Sequence, residues 1–288
     1  MKGRFYLAEE RGFCSGVQRA INLVSKAVRE GPFPVRVLHE IVHNENVVRE
    51  FSDCGVEFYD TPDPAWKDGT LIPSAHGVGD ALEQTVRAMP LSVIDATCPL
   101  VKRLHAVAAD LENQGYFILM AGKRDHRETE GVVGRLKKQP VILENTDEAE
   151  LFRPEPCIRY AVISQTTLST DEYGEILSIL KGKIPDLFVA GGICQATNAR
   201  QAAVKKLAEK CHRIIVIGST RSSNSKRLRE VAEKAGAEAI LIPDAESLPE
   251  HFFEISGDVG ITSGASAPDH LIQALIRKFR DHGWIPAD

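Results

Sequence analysis

No C-x-x-C pair occurs anywhere in the 288 residues, so zinc ribbons and thioredoxin-type redox sites find no support. No apolar run approaches the roughly eighteen residues that a membrane-spanning helix needs. Basic charge is not in excess: the formal net charge is −5, which argues against a general nucleic-acid-binding surface. The first residues, MKGRFYLAEERGF, lack the apolar core of a secretion signal and carry acids too early for a transit peptide, so the expected compartment is the cytoplasm. No linker rich in Pro, Gly or Ser divides the chain, and its parts are expected to pack tightly against one another.

What is present is an ordinary globular composition, 43% hydrophobic and 26% charged, in a chain long enough for two or three compact units. Six cysteines stand at 14, 54, 98, 157, 194 and 211, at wide and irregular spacings. In a reducing compartment free thiols are the default, and metal binding or catalysis are the special cases.

Short β-branched runs followed by loops and helical patterns recur throughout, which reads as α/β with mainly parallel strands. The candidate strands fall into three sets of four: FYL (5–7), VRVL (35–38), VEFY (56–59) and LIPS (71–74); then SVID (92–95), FILM (117–120), VILE (141–144) and YAVIS (160–164); then LFVA (187–190), IIVI (214–217), AILI (239–242) and VGIT (259–262). After the first strand of each set comes a cysteine that opens a helical pattern: Cys14, Cys98 and Cys194. The loop after each second strand carries a polar residue 29, 28 and 29 positions beyond its cysteine, at His43, His126 and Ser223. The loop after each fourth strand does so at 62, 68 and 72 positions, at His76, Thr166 and Ser266. Three such matches make a threefold internal repeat, with expected units 1–90, 91–184 and 185–288.

Ligands of open α/β sheets bind beyond the carboxyl ends of the strands, where all of these loops lie. If the three units face one axis in a pseudo-threefold arrangement, the loops converge and three cysteines 84 and 96 residues apart meet at the centre. Pro99 suits a first helical turn, and a helix N-terminus favours the thiolate that binds metal. Three thiolates suit a soft-metal centre, for which an iron–sulfur cluster is the natural candidate. A four-iron cubane on three thiolates leaves one iron open, the usual mark of a catalytic rather than an electron-relay site. Ser222, Ser223, Asn224 and Ser266 precede helical runs and read as an anion site, to which His43, His76 and His126 add donors. Glu128 is the loop carboxylate expected near the cluster, with a raised pKa suited to proton donation.

The bland readings stand beside these. Cys54, Cys157 and Cys211 read as small buried hydrophobes. His39, His105, His212, His251, His270 and His282 read as structural or surface groups. SSNS (222–225) alone is an ordinary N-cap cluster, Thr166 and Thr167 could start a turn, Glu128 could simply face a helix dipole, and KKLAEKCHR (205–213) is a solvated helix face.

The stretches RGFCSGVQRAI, IVHNENVV, SAHGV, DATCPLV, HRETEG, SQTTLS, ICQAT with RQ, SSNSKRL and GASAPD, taken in order from about residue 5 to 275, resemble the 4-hydroxy-3-methylbut-2-enyl diphosphate reductase family. The resemblance implies three α/β domains around a 4Fe–4S cluster held by Cys14, Cys98 and Cys194. It implies reductive dehydroxylation of an allylic hydroxy diphosphate to isopentenyl and dimethylallyl diphosphates, the last step of the non-mevalonate isoprenoid pathway. It assigns His43, His76, His126, Ser222, Ser223, Asn224 and Ser266 to the diphosphate, and Thr166, with Thr167 beside it, and Glu128 to the substrate hydroxyl and its proton. A ferredoxin or flavodoxin is the implied electron donor, with no nucleic acid or membrane as partner. Two positions depart from the family's usual wording: Arg127 stands where Pro commonly follows the histidine, and Gln195 follows the third cysteine. Two other functions fit parts of the pattern, a dehydrating lyase resembling quinolinate synthase and a non-catalytic iron–sulfur sensor. The diphosphate site and Glu128 argue against the first, and the lack of a DNA- or partner-binding module argues against the second.

Overall fold

The computed structural model describes residues 3–254 and 257–287. The first third runs β1 (Arg4–Leu7), α1 (Ser15–Glu30), β2 (Val35–Leu38), α2 (Glu45–Asp53), β3 (Glu57–Tyr59), β4 (Thr70–Pro73) and α3 (Asp80–Ala88). The second runs β5 (Ser92–Val93), α4 (Pro99–Asn113), β6 (Phe117–Ala121), α5 (Arg127–Val133), β7 (Val141–Leu143), α6 (Thr146–Leu151), β8 (Tyr160–Ser164) and α7 (Thr170–Lys183). The last runs β9 (Phe188–Val189), α8 (Gln195–Ala208), β10 (Arg213–Ile217), α9 (Ser223–Lys234), β11 (Glu238–Ile242), β12 (Val259–Ser263), α10 (Asp269–Asp281) and β13 (Ile285–Pro286).

These strands form three wholly parallel sheets with one repeated order: β3-β2-β4-β5, β7-β6-β8-β9 and β11-β10-β12-β1, the last extended by β13. The central strands VRVL, YAVIS and VGITS are buried at every residue, as strands covered on both faces must be, and hence they read as continuous apolar runs. The boundaries expected at 90/91 and 184/185 fall one strand away from the sheet boundaries. The strand leading into each cysteine closes the preceding sheet: β5 pairs with β4, β9 with β8 and β1 with β12.

The chain forms two compact units, one of Met1–Gln18, Val42–Glu50 and Gln195–Asp288, the other of Arg19–Ile41 and Phe51–Cys194. In the first, α10 buries Leu271, Ile272, Leu275, Ile276 and Phe279 on one face, against Phe5, Phe253 and Trp284. In the second, two of the sheets are joined by a backbone approach that only glycine permits. A Cβ on Gly79 would lie 2.8 Å from the Cα of Gly134, and Asp80 N–H donates to Gly134 O at 3.0 Å across the same contact. That seam makes one unit of two repeats.

Candidate functional site

Each of Cys14, Cys98 and Cys194 stands immediately before a helix, at the starts of α1, α4 and α8. The structure adds a regularity that residue spacing does not show. Each cysteine donates its N–H to the carbonyl of the second residue beyond a fourth strand: Cys98 to Ala75 at 3.0 Å, Cys194 to Thr166 at 3.1 Å and Cys14 to Ala265 at 3.2 Å. The residues that follow those carbonyls are His76, Thr167 and Ser266. The same backbone bond therefore seats each thiol beside a candidate substrate residue three times over. All three thiols are half-buried and none is in a disulfide, and Cys14 Sγ accepts the N–H of Val17 at 3.5 Å from the first turn of α1. Among the described residues no group of three or more His, Cys, Asp or Glu side chains is gathered to hold a single metal ion.

The other cysteines divide. Cys211 is buried, and burial pushes its thiol up to about 11. Cys54 and Cys157 are exposed, contrary to the expectation of small buried hydrophobes. Cys54 follows α2 in a turn closed by its own N–H to Phe51 O, and Cys157 sits in a turn at φ +64°, so both lie in surface connections that no core reaches.

Within the second unit, Glu128 is 3% exposed on the first turn of α5. Burial raises its carboxyl above the ordinary range, and two bonds from one residue oppose that rise. Thr166 N–H donates to Oε1 and Thr166 Oγ1–H to Oε2, each at 2.7 Å. The Thr166 backbone thus carries Glu128 on its N–H and Cys194 on its carbonyl. His126 caps α5 by accepting the N–H of Glu128 on Nδ1 at 3.1 Å, which assigns the proton of the neutral ring to Nε2. The His76 ring stands edge-on to it at 5.9 Å, with Nδ1 3.3 Å from Ser74 Oγ. Thr167 Oγ1 accepts from Gln165 Nε2 at 3.0 Å, while Gln165 Oε1 takes the N–H of Lys123 at 3.0 Å. Gln165 is fully buried at the centre of this loop.

Arg127 and Gln195 are each the first residue of a helix, α5 and α8. Arg127 pairs with Asp60 at 3.1 Å and with Glu130 at 3.0 Å on the outside of α5. Gln195 is exposed at the start of α8. His105, on α4, is buried between Gly77 and Gly131, and burial lowers it to about 4.

Within the first unit, Ser222 caps α9, its Oγ accepting the N–H of Ser225 at 3.3 Å. Asn224 is buried, and neither its Oδ1 nor its Nδ2 meets a partner among the described residues. A buried amide with both ends unmet is the mark of a site built for a polar ligand. Ser266 Oγ donates to His43 O at 3.1 Å, joining two of the candidate loops. Ser223 is half-buried beside them. Gly218 and Gly264 close on Ser225 Oγ so tightly that a Cβ on either would collide with it.

Asn44 and Asn46 stand out only in the structure. Asn46, Glu128 and Asn224 are each the second residue of the helix after a second strand, and all three are buried. Asn44 caps α2 by taking the N–H groups of Asn46 and Val47 at 3.1 and 3.2 Å, as His126 and Ser222 cap α5 and α9. The repeat register would have found Asn44 and Asn46.

The family model described as LytB protein matches residues 5–280. A 4-hydroxy-3-methylbut-2-enyl diphosphate reductase of Methylibium petroleiphilum is 43% identical over 97% of the chain and 85% of its own length. That of Neisseria gonorrhoeae is 42% identical over 96% of the chain and 87% of its own length. The solved reductase acting on E-1-hydroxy-2-methyl-but-2-enyl-4-diphosphate from Plasmodium falciparum superposes with a TM-score of 0.93 at 31% identity, covering 99% of this chain and 91% of that one. A second solved structure, described as the terminal enzyme of the non-mevalonate pathway, gives a TM-score of 0.69 at 32% identity, covering 98% and 100%.

Proposed function

The chain belongs to the LytB family, and from that premise we propose that it reduces (E)-4-hydroxy-3-methylbut-2-enyl diphosphate to isopentenyl and dimethylallyl diphosphates. The observation that carries the reading is the backbone of one residue, Thr166, whose N–H binds the buried Glu128, its carboxyl raised by burial, and whose carbonyl takes the N–H of Cys194. A proton donor and a candidate cluster ligand are thereby held in fixed relation.

The family is one of iron–sulfur enzymes. Our finer assignment is a 4Fe–4S cluster on Cys14, Cys98 and Cys194 with one iron left open. The donor set fits: three thiols outside any disulfide, each seated by the same backbone bond at a helix start. A cluster takes one thiolate per iron, so its ligands need not gather on one ion as a single-metal site requires. When bound, the cluster supplies the two electrons and a Lewis-acidic iron for the substrate hydroxyl.

The chain's own residues do the rest. Overall, the allylic C–O bond breaks, a C–H bond forms, and two protons and two electrons convert the allylic hydroxy diphosphate to an isopentenyl or dimethylallyl diphosphate and water. Burial favours the protonated form of Glu128, whose proton goes to the departing hydroxyl oxygen. Thr166 Oγ1 fixes the rotamer of that carboxyl and touches the same hydroxyl. Asn224, Ser222, Ser223, Ser266, His43, His76 and His126 hold the diphosphate through amide, hydroxyl and imidazole donors, with Thr167, next to Thr166, also on the substrate. The reducing partner we assign is a ferredoxin or flavodoxin, and the compartment the cytoplasm. Among the described residues no helix is long and apolar enough to cross a membrane.

The test is an anaerobic assay with the allylic hydroxy diphosphate and a reduced one-electron dye. Substrate-dependent dye oxidation with five-carbon diphosphate products supports the reading. Turnover without any reductant would replace it with a dehydrating lyase, and a cluster-loaded protein that leaves the dye untouched would end it.

A further inference from the structure

Glu45 opens α2, two residues beyond His43 and inside the stretch IVHNENVV (41–48), yet no substrate or cluster role above falls to it. Its Oε1 accepts Ser219 Oγ–H at 2.7 Å and Arg221 Nε–H at 2.9 Å. Ser219 Oγ in turn accepts the N–H of Arg221 at 2.9 Å, so three bonds close around the turn that follows β10. Ser222, Ser223 and Asn224 leave directly from that turn, and Ser222 N–H returns to Ser219 O at 3.1 Å. Ser219 is fully buried, while Arg221 is half exposed. Partial burial alone would raise the Glu45 carboxyl, but donation from Ser219, its own N–H and Arg221 outweighs it and holds the group below the ordinary range.

A carboxylate this close in sequence to an anion-binding histidine repels the anion unless a cation offsets it, and Arg221 does so. The negative charge is therefore committed to the turn. On the other flank, Ser266 Oγ holds His43 O, so the two bonds tie three loops into one frame: the His43 loop, the 218–224 turn and the 264–266 loop.

We propose that Glu45 is a positioning residue that holds the Ser219–Arg221 turn, and with it Ser222, Ser223 and Asn224, in register with His43. The proposal deepens the reading of those residues as the diphosphate site and rests on it. Glu45 touches no substrate and contributes through affinity.

The test compares Glu45→Ala, Glu45→Gln, Ser219→Ala and the Glu45→Ala/Ser219→Ala double variant in the cluster-loaded protein. Glu45→Ala raises KM for the allylic diphosphate about tenfold, with kcat within about twofold of wild type and iron content unchanged. Glu45→Gln keeps an oxygen acceptor for both donors and stays within about threefold in KM. The double variant adds little to Glu45→Ala, because one interaction is removed twice. Hydrogen exchange quickens in residues 218–225 and 42–46 and not in the strands beneath them. An unchanged KM or unchanged exchange in Glu45→Ala overturns the proposal, as does a loss confined to kcat. If wild type itself turns over no substrate, the reductase reading fails separately. The affinity for inorganic diphosphate, measured calorimetrically, then carries the comparison, and equal affinities of wild type and Glu45→Ala overturn the positioning role.

Discussion

Replacing Glu128 by glutamine separates its proton from its shape. The amide oxygen still accepts Thr166 N–H at the 2.7 Å position, and the amide N–H faces Thr166 Oγ1 at the other 2.7 Å position, where the hydroxyl can turn to accept. No buried atom loses its partner, so the loop is retained while the transferable proton is gone. A positioned acid contributes typically a hundred- to ten-thousand-fold, and kcat in Glu128→Gln falls by roughly that factor with little change in KM. Stability moves the opposite way. Burial raises the folded-state pKa of Glu128, so the folded protein holds a proton there that the unfolded chain has released. Wild-type stability therefore falls as pH rises from the ordinary Glu pKa through the raised one, and stays lowered above it. Glutamine is indifferent to pH. Above the raised pKa the variant gains on the order of 1 kcal/mol, which is about 2–4 °C in melting temperature for a chain of this class. Melting curves across pH, run beside steady-state assays, read both effects. Turnover within tenfold of wild type would remove Glu128 as the proton source. An unaltered pH dependence of melting would show that its carboxyl is not raised.

Three further perturbations probe the frame. Gly264→Ala drives a methyl into Ser225 Oγ and costs about 1–3 kcal/mol by overpacking, read as a lower midpoint in urea. His105 stays neutral down to about 4 because burial lowers it, whereas an unfolded histidine protonates near 6.5. The unfolded state thus binds the extra proton, and stability falls as pH drops from 6.5 towards 4; His105→Leu removes that part of the slope, measurable by melting. Serine in place of Cys14, Cys98 or Cys194 abolishes iron retention, while Cys54→Ser and Cys157→Ser, at exposed turns, retain it in full, as iron analysis of the anaerobically purified proteins will show.

Much of this was legible in the chain itself, for definite reasons. Strands buried on both faces are written as uninterrupted apolar runs, so RIIVI and YAVIS declare themselves, and a cysteine followed by proline at a strand exit declares a helix start. Sheet membership was not legible. β5 and β9 are two residues each, and their pairing back onto the preceding strands, β4 and β8, is not written in so few side chains. The joining of two repeats was hidden in Gly79 and Gly134, which look like ordinary loop glycines until their backbones are seen to touch. Gln165 and Asn44 look like ordinary loop amides in the sequence, where amides are common turn formers, and only their burial sets them apart. Cys54 and Cys157 were misplaced because residue type predicts average burial, whereas their turns are set by the backbone around them.

The most direct measurement is stopped anaerobic turnover: cluster-loaded protein, reduced dye and the allylic hydroxy diphosphate, with Glu128→Gln alongside. Two dye electrons consumed per five-carbon diphosphate formed, in wild type and not in the variant, is the outcome expected of a Glu128-driven reductase. Product without electron consumption, or equal rates in the two proteins, would contradict it.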